Sequence, residues 1–195
     1  PFAGLARAGF IAVQLLQSLV KVGILTEDEY QNFMSSLHTV SSDMQVESLN
    51  SKDNFLKKYG HLRPGTYNIL SNRYDEKPDM YFDWNSSNKK EYKKNISNLF
   101  SLNLDKMNRL ETMLLDHGIN HSVLSLFNFI KGAIEGREYA KFVFTKSLSD
   151  ALSIIKGMGN KLGIDIDSIS YLDISAIKKL YSSSDNVKDS MLNSI

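Results

Sequence analysis

The residues whose types and spacing suggest chemistry are few. His61, Arg63 and Arg73 lie in the stretch NFLKKYGHLRPGTYNILSNRYDE, residues 54–76. Guanidinium groups match the geometry of phosphate or carboxylate, so these three side chains together are a candidate anion site. A second reading is structural: Arg63 and Asp75 tie a loop down while Pro64-Gly65 shapes its turn. The residues alone favour this second reading. Arg137 and Glu138, with Lys141, interrupt an otherwise apolar helical pattern. Either they share a solvated stripe, with Glu138 and Lys141 pairing at i,i+3, or they face an internal polar cleft. In a cleft their charges must be paired, because an unpaired buried charge is very costly.

Other groupings fail on spacing. Gly157-Met158-Gly159-Asn160-Lys161-Leu162-Gly163 has one residue too many for a dinucleotide fingerprint and follows a helix, so it reads as a helix terminus. His117 and His121 have metal-ligand spacing only on one helix, and Gly118 breaks the helix between them. Asp165 and Asp167 resemble the start of a calcium loop, but Ser170 and Ala176 stand where glycine and glutamate are needed. A helix cap is the better reading of either aspartate. The chain has no cysteine, which excludes disulfides and thiolate metal sites.

The elements that must hold these residues are helical. Residues 2–22 carry apolar side chains at helical spacing, and Gly23 suits the position just past the end. Thr26 and Glu29 form a capping box for the next helix, with Leu25 and Tyr30 placed for a hydrophobic staple. A helix is expected around residues 44–49. Ser51 caps a short one carrying Phe55, Leu56 and Tyr59, which Gly60 ends. Residues 61–87 show no sustained helical period. Pro64-Gly65 and Pro78 are breakers, Met80, Tyr81, Phe82 and Trp84 suggest an aromatic knot, and Tyr67, Ile69, Leu70 and Tyr74 favour burial. Such a long connection is commonly functional or packed as an Ω-like unit. Helices resume over residues 88–100 and 104–117. Asn120 or Ser122 opens the longest pattern, which lasts to about residue 161. It is apolar around much of its circumference, predicting a central helix packed on several sides with Phe142 and Phe144 buried. Asp173 and Ser184 are placed to cap two last helices.

The fold class that follows is all-α: an irregular multi-helix domain over residues 1–195, with a long central helix and an irregular aromatic and polar insert at 61–87. The 195 residues are enough for a sizeable core. Lys and Arg total 23 against 22 Asp and Glu, so the net charge of +1 gives no nucleic-acid footprint. No apolar run approaches the ~20 residues of a membrane span, because Gln14, Gln17, Ser18 and Lys21 interrupt the first helix. The expectation is a cytoplasmic protein with no membrane and no nucleic-acid partner.

Two boxes carry a family resemblance. Phe55-Leu56-Lys57-Lys58-Tyr59-Gly60-His61-Leu62-Arg63-Pro64-Gly65, followed by Tyr67-Asn68-Ile69 and Arg73-Tyr74-Asp75-Glu76, resembles a box of phosphoenolpyruvate synthase-like enzymes. That group includes the rifampicin phosphotransferases. Arg137-Glu138-Tyr139-Ala140-Lys141-Phe142-Val143-Phe144-Thr145 is similar to the helix downstream of that box. Leu62, Asn68 and Asn72 depart from the residues most often found there, which are Arg, Asp and Pro. In the family an ATP-grasp domain phosphorylates a histidine on a mobile domain, which carries the phosphoryl group to an acceptor such as pyruvate.

The resemblance implies that this chain is the helical middle of such a phosphotransferase, a piece of a larger multidomain enzyme that is not catalytic alone. In the related rifampicin enzymes this middle binds the acceptor. ATP and Mg would belong to the parent enzyme, with no cofactor in this chain. The partners implied are the ATP-grasp and phosphohistidine domains and a small anionic acceptor. By analogy His61, Arg63, Arg73, Arg137 and Glu138 would bind the acceptor or meet the incoming phosphohistidine, with residues 61–76 packed near Arg137 and Glu138. His61 lacks the setting of the phosphocarrier histidine. The alternative is a stand-alone helical protein-interaction module with no phosphotransfer role.

Overall fold

Short polar and glycine signals set the ends of the helices. In the computed structural model, which describes residues 2–84, 100–179 and 186–195, the helices are α1 (Phe2–Lys21), α2 (Glu27–Ser36), α3 (Val40–Glu47), α4 (Lys52–Tyr59), α5 (Pro78–Tyr81), α6 (Leu104–Asp116), α7 (Val123–Leu162), α8 (Ile166–Ile169), α9 (Ile174–Lys179) and α10 (Val187–Leu192). The fold is all-α, with no strand among the described residues. The helix expected over residues 88–100 and the Ser184 cap lie outside the described residues, except for Phe100. The described cap of α10 is Asn186.

Most starts follow the sequence; the exceptions are α3, which Thr39 caps at Val40 where a helix was expected around residues 44–49, and the short α5 inside the segment read as non-helical. Thr26 and Glu29 close the capping box of α2, Ser51 caps α4, and Ser122 accepts from the Ser125 N–H at the start of α7. Asp165 caps α8, and Asp173 accepts from the Ser175 N–H at the head of α9. Three stops share one device. Gly23, Gly118 and Gly163 adopt φ of 69°, 72° and 71°, and each is followed by isoleucine. The N–H groups of Ile24, Ile119 and Ile164 reach back to Leu19, Leu114 and Gly159 at 2.8–2.9 Å, satisfying carbonyls that the helix end leaves over. Gly60 ends α4 differently. Its φ is −55°, so handedness is not the reason for glycine there. A Cβ would stand 2.8 Å from the Asp75 Cβ, so the need is for space.

The chain divides into two compact units: residues 1–50 with 87–144, and residues 51–86 with 145–195. Helix α7 contributes its first part to one and its second part to the other. In the first unit Ala12, Leu16 and Leu19 of α1, Phe33 of α2, Leu110 and Leu114 of α6, and Ile130 and Ile134 of α7 form the core. Each such Leu or Ile contributes about 1.5–3 kcal/mol by leaving water. Phe33, Phe100 and Phe127 meet with ring centroids 5.0–5.5 Å apart. Arg109 donates to the Val22 and Gly23 carbonyls at the end of α1, and the Lys106 ammonium meets both carboxylate oxygens of Glu29 at 2.6 Å.

Helix α1 is long and apolar enough to cross a membrane by length and composition, contrary to the sequence expectation. Here one stripe of it faces the core of the first unit.

The second unit has an aromatic cluster and an aliphatic one. Phe55, Tyr59, Tyr74, Tyr81, Phe82 and Trp84 stack edge-on or tilted within 5.5 Å. Ile69, Ile164, Ile169 and Met191 form the aliphatic cluster.

Three burial expectations need correction. Met80 is outside the aromatic cluster and exposed, because the four-residue α5 turns it outward while Tyr81 and Phe82 face in. Tyr67 and Leu70 are exposed too, and only Ile69 of that trio reaches the core. Helix α7 runs unbroken through residues 145–149 but is less enclosed than its composition predicts. Phe144 is 42% exposed and stacks on Phe2, while Leu124, Tyr139, Val143 and Ile154 also face solvent. A 40-residue helix is roughly 60 Å long, and the short elements of each unit cover only one side of it.

Candidate functional site

Residues 60–76 form a closed loop within the second unit. Its base is joined by backbone bonds from Tyr74 N–H to the Leu62 carbonyl (2.9 Å) and from Asp75 N–H to the Gly60 carbonyl (3.1 Å). Turns bonded from Asn68 to Gly65 and from Ser71 to Asn68 fold the interior. The Asn68 side chain accepts from the Leu70 N–H, and Ser71 Oγ accepts from the Gly65 N–H. This is the Ω-like packing that the polar, glycine-flanked sequence suggested.

Arg63 sits inside this loop and is 6% exposed. Its Nε donates to Ser149 Oγ at 3.1 Å. Nη1 donates to the Ser71 and Asn68 carbonyls, and Nη2 to the Ser149 carbonyl, Ser149 Oγ and Ser153 Oγ. All five N–H groups of the guanidinium therefore have acceptors in the protein. Every one of those acceptors is neutral. Burial pushes the pKa of Arg63 down, opposed by the field of Glu76. The group stays charged, and its charge is solvated by carbonyl and hydroxyl dipoles instead of water.

The structural role foreseen for Arg63 holds, but its foreseen partner does not. Asp75 is taken by Arg73, whose Nη2 lies 2.7 Å from one carboxylate oxygen while Nε donates to the other at 2.9 Å. Arg73 Nη1 pairs with Asp150 at 2.7 Å. Hydrogen bonding to Asp75, then to Asp150, raises the pKa of Arg73. Glu76 accepts from the Arg73 N–H and lies 3.7 Å from Lys156.

The loop is thus fastened to one stripe of α7: Ser149, Asp150, Ser153 and Lys156. Sequence reasoning missed these four. The signal was present, since Thr145, Ser149 and Ser153 recur every four residues in an apolar helix. A small polar stripe of that kind marks a helix face that receives polar groups.

His61 is enclosed at 6% exposure. With Leu62, Arg63, Thr66, Thr145 and Ser149 it lines a void of about 10 Å³, the size of a single water. His61, Arg63, Thr145 and Ser149 are the buried polar residues among those described, so burial of polar groups is concentrated at this one place.

Arg137 and Glu138 belong to the first unit. Arg137 Nη1 donates to Glu138 Oε1 at 3.1 Å, so Glu138 pairs with its neighbour and not with Lys141. The Arg137 guanidinium lies 4.8 Å over the Phe10 ring, and its stem rests on Gly9, where a Cβ would come within 2.5 Å of Arg137 Cδ. The five candidate side chains are therefore distributed: His61, Arg63 and Arg73 in one unit, Arg137 and Glu138 in the other.

The first unit also carries a half-open cavity of about 680 Å³ that the sequence did not announce. Leu15, Leu19, Leu110, Leu114, Leu126 and Phe129 give it apolar walls, and Ser18, His117, His121 and Ser125 are its polar residues. His117 and Ile119, on either side of the Gly118 turn that ends α6, are among its lining residues. Among the described residues no three His, Asp or Glu side chains converge to hold a metal ion.

No family model, no curated protein and no solved structure matches this chain.

Proposed function

We propose that this chain is the helical acceptor-binding and linking segment of a phosphoenolpyruvate synthase-like phosphotransferase, in which ATP, a phosphohistidine and an acceptor are used in turn. Its own part is to bind and to position, not to catalyse. The two family-like boxes in their order support this assignment. The geometric observation that carries the acceptor-binding part is the cavity of about 680 Å³. That volume lies within the ~300–1,000 Å³ of small-molecule sites, and its apolar walls with a few polar groups are typical of them.

In this reading the first box is scaffold. A guanidinium with all five N–H groups engaged has no donor left for a phosphate, so Arg63 holds the loop on α7 instead of binding ligand. Arg137 has the most open side chain of the three arginines, at 30%, and is the candidate to meet the incoming phosphohistidine. ATP and Mg would be held by the ATP-grasp domain of a cytoplasmic parent enzyme.

The test is phosphoryl transfer from γ-labelled ATP. The 195-residue chain alone should take no label, while a parent protein that also carries ATP-grasp and phosphohistidine domains should pass label to an acceptor. In that parent, Arg137→Ala should lower transfer at least tenfold with little change in thermal midpoint. Label on His61 of the isolated chain, or a natural reading frame without either domain, would overturn the assignment and favour the interaction module. The exposed Leu5, Phe10 and Ile11 of α1 are the feature such a module would use.

A further inference from the structure

His61 sits at the closure of the second unit's loop. Its neighbours Gly60 and Leu62 supply the carbonyls that accept from the Asp75 and Tyr74 N–H groups, so His61 stands between the two bonds that join the base. It is enclosed, and it lines the water-sized void together with Arg63, Thr66, Thr145 and Ser149. Arg63 is equally enclosed, and carbonyls and hydroxyls solvate its charge. A buried cation therefore already occupies the space that the imidazole shares.

The charges around this place are matched without a contribution from His61. Within the loop and on α7, Arg63, Arg73 and Lys156 are balanced by Asp75, Asp150 and Glu76, whose carboxylates are engaged by Arg73 and Lys156. The flanking elements do not turn the balance negative: α4 carries Lys52, Lys57 and Lys58 with Asp53, α5 and the residues after it carry Asp79 and Asp83, and α7 adds Lys146. Tyr59, Tyr74 and Tyr81 are neutral below their ordinary range. Burial and a neighbouring like charge both disfavour a protonated imidazole.

We propose that His61 is an acid-sensitive catch: the loop of residues 60–76 is closed on α7 while His61 is neutral, and proton uptake by His61 releases it. The way out is short. Pro64, Tyr67 and Leu70 already face solvent, and Ile69 alone ties the loop into the aliphatic cluster. Opening also frees the Arg63 donors, which the closed loop keeps from any anion. The device belongs to the second unit and does not depend on the phosphotransferase assignment.

In the open loop His61 titrates near the ordinary value of about 6.5, and closure holds it lower. Closure is therefore at full strength above that value and weakens as pH falls below it. One proton taken up per opening raises the opening constant about tenfold between pH 7.5 and pH 5.5.

The experiment is amide hydrogen exchange of the 195-residue chain, followed by NMR at those two pH values, with each rate divided by that of an unstructured peptide. The Tyr74 and Asp75 amides should lose about tenfold in protection at the lower pH. The Ile164 amide in the same unit and the Ile24 amide in the first should keep theirs. His61→Gln, neutral at both pH values, should remove the loss. Unchanged protection at Tyr74 and Asp75, an equal loss at Ile164, or a loss that persists in His61→Gln overturns the proposal. A titration of the imidazole signals gives a readout that needs no variant. His61 should protonate at lower pH than the exposed His121, and a midpoint at or above that of His121 overturns the catch even where His61→Gln does not fold.

Discussion

Replacing Arg63 by methionine tests whether the polar loop is scaffold or ligand surface. The substitution keeps an unbranched apolar stem and removes five charged donors. Those donors satisfy Ser71, Asn68 and Ser149 carbonyls and the hydroxyls of Ser149 and Ser153. Hydrogen bonds to a charged group contribute about 1.5–3 kcal/mol each when taken alone. They do not add here, because Asn68 and Ser149 carbonyls keep other partners and because removing the buried charge returns its desolvation cost. A net loss of about 3 kcal/mol is expected.

Arg73→Ala should cost only about 1 kcal/mol, since its partners Asp75 and Asp150 are 39% and 48% exposed and water screens both pairs. Arg63→Lys should fall close to Arg63→Met, because an ammonium has three donors and no planar fork.

The assay is urea unfolding followed by the fluorescence of Trp84. It is the only tryptophan in the chain and sits in the aromatic cluster of the second unit, so it reports on the unit that holds the loop. A loss below about 0.5 kcal/mol for Arg63→Met, or one no larger than for Arg73→Ala, would refute the scaffold role. A gain in stability would be the mark of a residue kept for ligand binding at the expense of folding.

Other substitutions give opposite signs from similar chemistry. Gly159→Ala should destabilise the second unit by about 1–3 kcal/mol, because the new Cβ would collide with the Ile169 side chain; Trp84 fluorescence reads this directly. Gly157→Ala, two residues earlier on the same helix with open space around it, should stabilise by about 1 kcal/mol in the same assay. Glu29 supplies a pH signature: hydrogen bonding from Lys106, then from Thr26, holds its carboxyl below the ordinary carboxylate value. A depressed folded-state pKa contributes stability above the unfolded value and loses it as pH falls through the folded one, so wild type should exceed Glu29→Gln by about 1 kcal/mol at neutral pH. That difference should vanish in acid. Far-UV circular dichroism melts between neutral pH and acid check it, and a gap independent of pH would show that the Lys106 pair is idle.

Local signals in the sequence were sufficient for most helix ends and for the fold class. Thr26, Ser51 and Asp165 cap, and Gly23, Gly118 and Gly163 stop, because each acts on backbone groups within five residues of itself. No distant partner is needed for those interactions, so the chain carries them wherever it folds. The turn-rich character of residues 60–76 was legible for the same reason, since Pro64, Gly65 and Asn68 shape the backbone around themselves.

Partner choice was not local. Arg63 and Arg73 stand ten residues apart in one loop, yet one is enclosed by carbonyls and hydroxyls and the other is paired with Asp75 and Asp150. What separates them is Ser149, Asp150 and Ser153 of α7, nearly eighty or more residues away. The apolar circumference of α7 likewise did not tell which side would be covered. Burial depends on what area the rest of the chain can supply, and short helices leave Tyr139, Val143 and Ile154 in solvent. The cavity beside His117 is the clearest case: it is a space between α1, α6 and α7, made by residues that read individually as ordinary helix faces. Periodicity fixes which residues share a face, but only the packing of several faces decides where they fail to meet.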